Sequence, residues 1–117
     1  MENILAKETV SYIPSSFTLG SHNFKVVQYK ELSDDDESLY GQFDYENLTI
    51  SIRIYKEGSD QLLSKEIILN SFYHELFHSF NYLWNTGVDE SLASTFAMLM
   101  CEFNNTKKYG QENASSH

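Results

Sequence analysis

The chain has 117 residues, 41% hydrophobic and 15% aromatic, which is enough apolar material for one compact core and too little length for two. Its formal net charge of −9 would repel a phosphate backbone and argues against nucleic-acid binding. The single cysteine, Cys101, excludes an intrachain disulfide, and no apolar run approaches the roughly 18 residues of a membrane span.

The opening MENILAKETV has no basic region followed by an apolar stretch, so no signal peptide is expected. With the lone cysteine this predicts a cytoplasmic protein with no membrane partner. The glycosylation sequons at Asn47, Asn104 and Asn113 would carry no meaning there.

Residues 2–12 read as a short leading helix. Phe24 to Tyr29 (FKVVQY) is β-branched and aromatic and reads as a strand. The acidic run at 33–38 reads as a solvated loop, since it lacks the alternating oxygens and the glycine of a calcium loop. Tyr40 to Tyr45 is a second strand, followed by a turn near Glu46 and Asn47. Leu48 to Ile54 then alternates, with Leu48, Ile50, Ile52 and Ile54 on one face and Thr49, Ser51 and Arg53 on the other. That is a half-buried strand and the second arm of a hairpin.

From about residue 60 to 84 the period becomes helical, with an apolar stripe of Leu63, Ile67, Phe72, Leu76, Phe80 and Leu83. Asn85-Thr86-Gly87 supplies the stop. A second helix is expected over about 88–103, with Thr86 and Asp89 fitting its start signal. The order predicts an α+β domain over 1–103, in which a small, mostly antiparallel sheet packs on helices. A polar tail, 104–117, is expected to fray.

Residues 74–78 read His-Glu-Leu-Phe-His, the H-E-x-x-H pattern inside a helical period. Four residues advance about 400° along a helix, so both imidazoles sit on one face, one turn apart. They can hold one zinc ion, with Glu75 placed to act on a water bound to it. A catalytic zinc needs a third protein ligand and an open position. Asn81 and Trp84 stand where the longer metzincin motif has Gly and His, which excludes that subclass. Asp89 and Glu90 open the second helix. Asp89 fits the cap, so Glu90 is the expected ligand. Glu90 shares a helix face with Ala93 and Ala97, which would let the helices approach closely.

These residues resemble the ImmA/IrrE-like metallopeptidases and the small phage-encoded metallopeptidase domains close to them. The resemblance covers about 40–103: Gly41-x-x-Asp44, Ile50-x-Ile52, His74-Glu75-x-x-His78, and Glu90-x-x-Ala93-x-x-Phe96-Ala97. The chain departs from the family at Phe77, where Gly is frequent, and at Ser94, where Asn is frequent. The resemblance implies a minimal zincin-like fold of the gluzincin type. It implies one Zn²⁺ per chain on His74, His78 and Glu90, and it assigns Glu90 independently of the helix argument. It also implies a soluble intracellular enzyme whose partner is a peptide or protein substrate, such as a regulatory protein.

The chemistry expected of such a site is peptide hydrolysis with Glu75 as general base. The peptide would lie along an exposed strand edge of the 40–54 hairpin. Tyr82, Tyr109, His22 and His117 are all candidates for steadying the oxyanion. Asn70, Ser71, Asn81 and Tyr82 flank the histidines and could orient their rings. Cys101 lies about 16 Å along the helix from Glu90 and reads as a core residue. The alternatives are a zinc-holding regulatory module with little or no cleavage, and an interaction protein in which the motif is coincidental.

Overall fold

The computed structural model describes residues 2–84, 100 and 102–109. Strands come first and the long helix later: β1 (Ile4–Leu5), β2 (Ser16–Leu19), β3 (His22–Glu31), β4 (Ser33–Asp34), β5 (Glu37–Ser38), β6 (Gly41–Asp44), β7 (Thr49–Arg53) and α1 (Lys65–Trp84). The architecture is α+β with a mostly antiparallel sheet, as the element order predicts. The start of the expected second helix, with Asp89 and Glu90, lies outside the described residues, and so does Cys101 near its end. Among them, no helix is long and apolar enough to cross a membrane.

β3 is the spine of the five-stranded sheet. β1 and β2 pair with it antiparallel, Leu5 opposite Tyr29 and Ser16 opposite Lys25. β7 runs parallel to it, from Lys25 opposite Thr49 to Tyr29 opposite Arg53. β6 pairs antiparallel with β7, Gly41 opposite Ile52 and Asp44 opposite Thr49. This is the hairpin that the alternation of 48–54 predicts. Its place in the sheet order leaves β6 at the edge among the described strands.

Two tight turns are set by backbone conformation. Gly20 (φ 55°) and Ser21 (φ 70°) join β2 to β3, and Asp35 (φ 51°) and Asp36 (φ 66°) join β4 to β5. Positive φ at both central residues twists a two-residue turn to match its strands. The acidic run is therefore a small hairpin rather than a loop. The leading segment is extended, not helical: Val10 donates its N–H to the Gln28 side chain (2.8 Å), and β1 lies on β3.

The long helix begins at Lys65 rather than near residue 60. The chain after β7 folds back first, with Tyr55 bridged to Leu62 and the Leu63 N–H donating to the Ile54 carbonyl (2.8 Å). Ser64 then caps the helix, its Oγ accepting from the Ile67 N–H at 3.2 Å. The buried stripe is Ile68, Phe72, Leu76 and Phe80. Ile67, expected in that stripe, is exposed, because Ile68 is the residue four before Phe72.

The helix lays this stripe on Ile50, Ile52, Phe24 and Phe17, all fully or nearly fully buried. Phe17 stacks on Phe24 at 5.2 Å and meets Phe103 edge-on at 5.0 Å, and Phe72 lies 6.0 Å from Phe103. Phe103 belongs to a helical stretch, 102–106. That stretch and the residues after it dock on β2: the Thr18 N–H donates to Thr106 Oγ1 (2.7 Å), and the Lys108 N–H donates to the Ser16 carbonyl (2.8 Å). Residues 104–109, expected to fray, are thus tied down.

Arg53, placed by alternation on the polar face, is only 4% exposed. Its Nε donates to the Leu39 carbonyl (2.9 Å), its Nη1 donates to the Tyr55 carbonyl (2.6 Å), and its guanidinium lies 4.8 Å from the Tyr40 ring. These contacts offset the cost of burying the charge.

Candidate active site

The helical spacing brings His74 and His78 together on the exposed side of α1, with Nε2 to Nε2 at 3.0 Å and ring centroids 4.6 Å apart. Two imidazoles bound to one tetrahedral ion would hold these nitrogens about 3.3 Å apart. The pair therefore fits a zinc ion with a shift of a few tenths of an ångström. Among the described residues, no third His, Cys, Asp or Glu joins them. Glu90, the expected third ligand, lies outside those residues.

Glu75 lies beside the pair and leans toward the sheet. It is 7% exposed and packs toward the sheet edge, where it meets Gly41. A Cβ at position 41 would sit 3.1 Å from both Cγ and Oε2 of Glu75 and 3.3 Å from Cδ1 of Ile52. Gly41 has no positive φ. Glycine stands there for space, so that the carboxylate can tuck against β6. Burial pushes the Glu75 carboxyl above the ordinary carboxylate range, while the nearby His74 and His78 pull it down.

The hairpin that presents Gly41 is fixed by Asp44. Its Oδ1 accepts from the backbone N–H groups of Glu46 (3.0 Å) and Asn47 (3.2 Å), and its Oδ2 accepts from Asn47 Nδ2 (2.8 Å). Hydrogen bonding to Asn47, side chain first and backbone second, holds its carboxyl below the ordinary range. Leu48, at φ 51°, closes the turn. The Gly41-x-x-Asp44 pattern thus has two separate physical roles, room for Glu75 and a locked turn.

A cavity opens on each side of Glu75. One, of about 380 Å³, is lined by Phe43, Tyr45, Glu75, His78, Asn81 and Tyr82. The other, of about 350 Å³, is lined by Tyr40, Gly41, Asn70, Ser71, His74 and Glu75. The carboxylate therefore stands between two halves of a cleft, with one histidine in each.

Of the residues expected to steady an oxyanion, Tyr82 lines the first cavity with Glu75 and His78. His22 opens β3, its Nδ1 2.9 Å from the Gly20 carbonyl oxygen, and Tyr109 sits beside Lys107 on the C-terminal segment. His117 is outside the described residues. Asn70, Ser71 and Asn81 line the cavities, and the Ser71 hydroxyl donates to the Ile67 carbonyl (2.9 Å).

Sequence reasoning missed Tyr40, Phe43 and Tyr45 as cleft residues. A period-2 reading of the hairpin places Phe43 on the same face as Gly41, and that was the available signal. Compared with known protein families, curated proteins and solved structures, the chain matches none of them.

Proposed function

We propose that the chain is a zinc-dependent metallopeptidase of the gluzincin type, with a minimal zincin-like fold, resembling the ImmA/IrrE-like family. The observation that carries this reading is the pairing of His74 and His78, 3.0 Å apart at Nε2, with a buried carboxylate one residue away that faces a cleft. Zinc held by the two imidazoles and Glu90 would supply a Lewis acid and a water acidified to near neutrality.

The remaining chemistry belongs to the chain. Glu75 takes the proton of the attacking water and passes it to the leaving amine. Its burial against Gly41 fixes its position, and such positioning is worth as much as basicity. Tyr82 is the described residue best placed to donate to the developing oxyanion.

The substrate would lie along β6. The Arg53 N–H donates to the Tyr40 carbonyl (2.9 Å), which makes residues 40, 42 and 44 the ones bonded to β7. The N–H and C=O groups of Gly41 and Phe43 then face away from β7, where no strand among the described residues pairs with them, and an extended peptide could do so. Such a peptide would run past Glu75 and the histidines. The partner is accordingly a peptide or an unstructured protein segment.

Glu75→Gln tests the reading. Zinc content is expected to stay as in the wild type while peptide cleavage drops by about a thousandfold or more. Unchanged cleavage with zinc bound would sink the mechanism. A wild type that binds zinc and peptide but never cleaves would leave a binding module in its place.

A further inference from the structure

The cavity beside His78 has an unusual wall. Phe43 and Tyr82 meet edge-on with centroids 5.9 Å apart, and Tyr45 leans on Tyr82 at 5.9 Å. Phe43 is anchored below by Phe24 at 6.2 Å. Above it the two tyrosines stay open, Tyr45 60% and Tyr82 42% exposed. Large aromatic side chains left this open, clustered beside a buried carboxylate, offer apolar area that nothing among the described residues covers.

We propose that Phe43, Tyr45 and Tyr82 form a specificity pocket that receives an aromatic side chain of the peptide substrate next to the bond to be cleaved. This deepens the peptidase reading and rests on it for the word substrate. Three observations point to a peptide side chain as the occupant. Phe43 is itself a β6 residue whose outward N–H and C=O would hold the peptide backbone, so a side chain of that peptide falls directly over the pocket. The cavity volume of about 380 Å³ lies within the roughly 300–1,000 Å³ range of small-ligand sites. Glu75 and His78 line the same cavity, which puts the bound side chain beside the reacting centre.

Aromatic is favoured over aliphatic because the pocket presents ring faces and edges. An incoming ring gains offset or edge-on contacts beyond its buried area. An acidic side chain is disfavoured, since Glu75 is in the wall and the chain carries a net charge of −9.

The test uses the full chain loaded with zinc, as Glu75→Gln to prevent turnover. The probes are blocked, alanine-rich octapeptides that differ at one central position, Phe, Ala or Asp. Binding is read by calorimetry. The Phe peptide is expected to bind about tenfold more tightly than the Ala peptide, and the Asp peptide more weakly than the Phe peptide. Adding Tyr45→Ala and Tyr82→Ala should abolish the Phe preference and leave zinc content unchanged. Both side chains are exposed, and a thermal melt confirms that the variant folds. Equal binding of Phe and Ala peptides, or a preference that survives loss of both tyrosines, would overturn the proposal. In parallel, the wild type is given the same peptides. Cleavage of all of them without discrimination refutes the pocket and keeps the peptidase. Selective binding of the Phe peptide without any cleavage supports the pocket and removes the peptidase.

Discussion

At the scale of single residues, the cleft depends on one missing methyl group. Gly41 needs no unusual backbone angle, so an alanine there is compatible with the chain and conflicts only with Glu75 and Ile52. Gly41→Ala is expected to destabilise the fold by about 1 kcal/mol and to cut kcat/KM by tenfold or more, because the carboxylate must move by tenths of an ångström. Zinc content should not change. Parallel melts, metal analysis and peptide kinetics check this. Equal activity would mean that the Gly41 contact does not position Glu75. His74, Glu75 and His78 were legible in the sequence because four-residue spacing on a helix is a local property. Tyr40 and Tyr45 were not, because only the fold brings the hairpin alongside α1. Arg53 misled for the same reason: alternation assigns it a face, but the carbonyls of Leu39 and Tyr55 that draw it inward belong to segments outside its strand.

At the scale of elements, the β6–β7 turn carries the site and is held by a carboxylate. The pKa of Asp44 in the fold is depressed by its bonds to Asn47 and Glu46. A depressed carboxyl contributes stability that is fully present above its unfolded value and is lost as pH falls through its folded value. Asp44→Ala should therefore lower the unfolding midpoint at neutral pH, and the gap to wild type should close below the ordinary value of 3.8. Melts across that range would show it, and a constant gap would deny the turn its electrostatic lock. The second arm of this hairpin was readable from the alternation of 48–54, and the first from its place before the turn at Glu46 and Asn47. The start of α1 was not, since the fold-back of Tyr55 onto Leu62 precedes it and reads as helix by apolar spacing alone. The β4–β5 hairpin was hidden because its positive-φ pair is Asp35-Asp36, without the glycine that usually marks such turns.

At the scale of the molecule, distant segments close the core. Phe103 is buried against Phe17 of β2 and Phe72 of α1, and Thr106 and Lys108 extend the contact along β2. Phe103→Ala should cost about 3–4 kcal/mol, measured by denaturant unfolding, although the residue lies far from the histidines in sequence. A loss under 1 kcal/mol would mean that the C-terminal stretch contributes little to the core. The α+β class followed from element order, whereas the parallel pairing of β3 with β7 did not. No local signal distinguishes a parallel neighbour from an antiparallel one when the strands are separated by a hairpin and a turn.

Metal content decides whether His74, His78 and Glu90 hold one zinc ion beside Glu75. The wild type, His78→Ala and Glu90→Ala are purified without chelator or metal-affinity tag, and bound metals are measured by mass spectrometry. Close to one zinc per wild-type chain and a sharp loss in both variants are expected. Zinc absent from the wild type even after incubation with the metal, or retained equally in all three proteins, would rule out a zinc site on these residues.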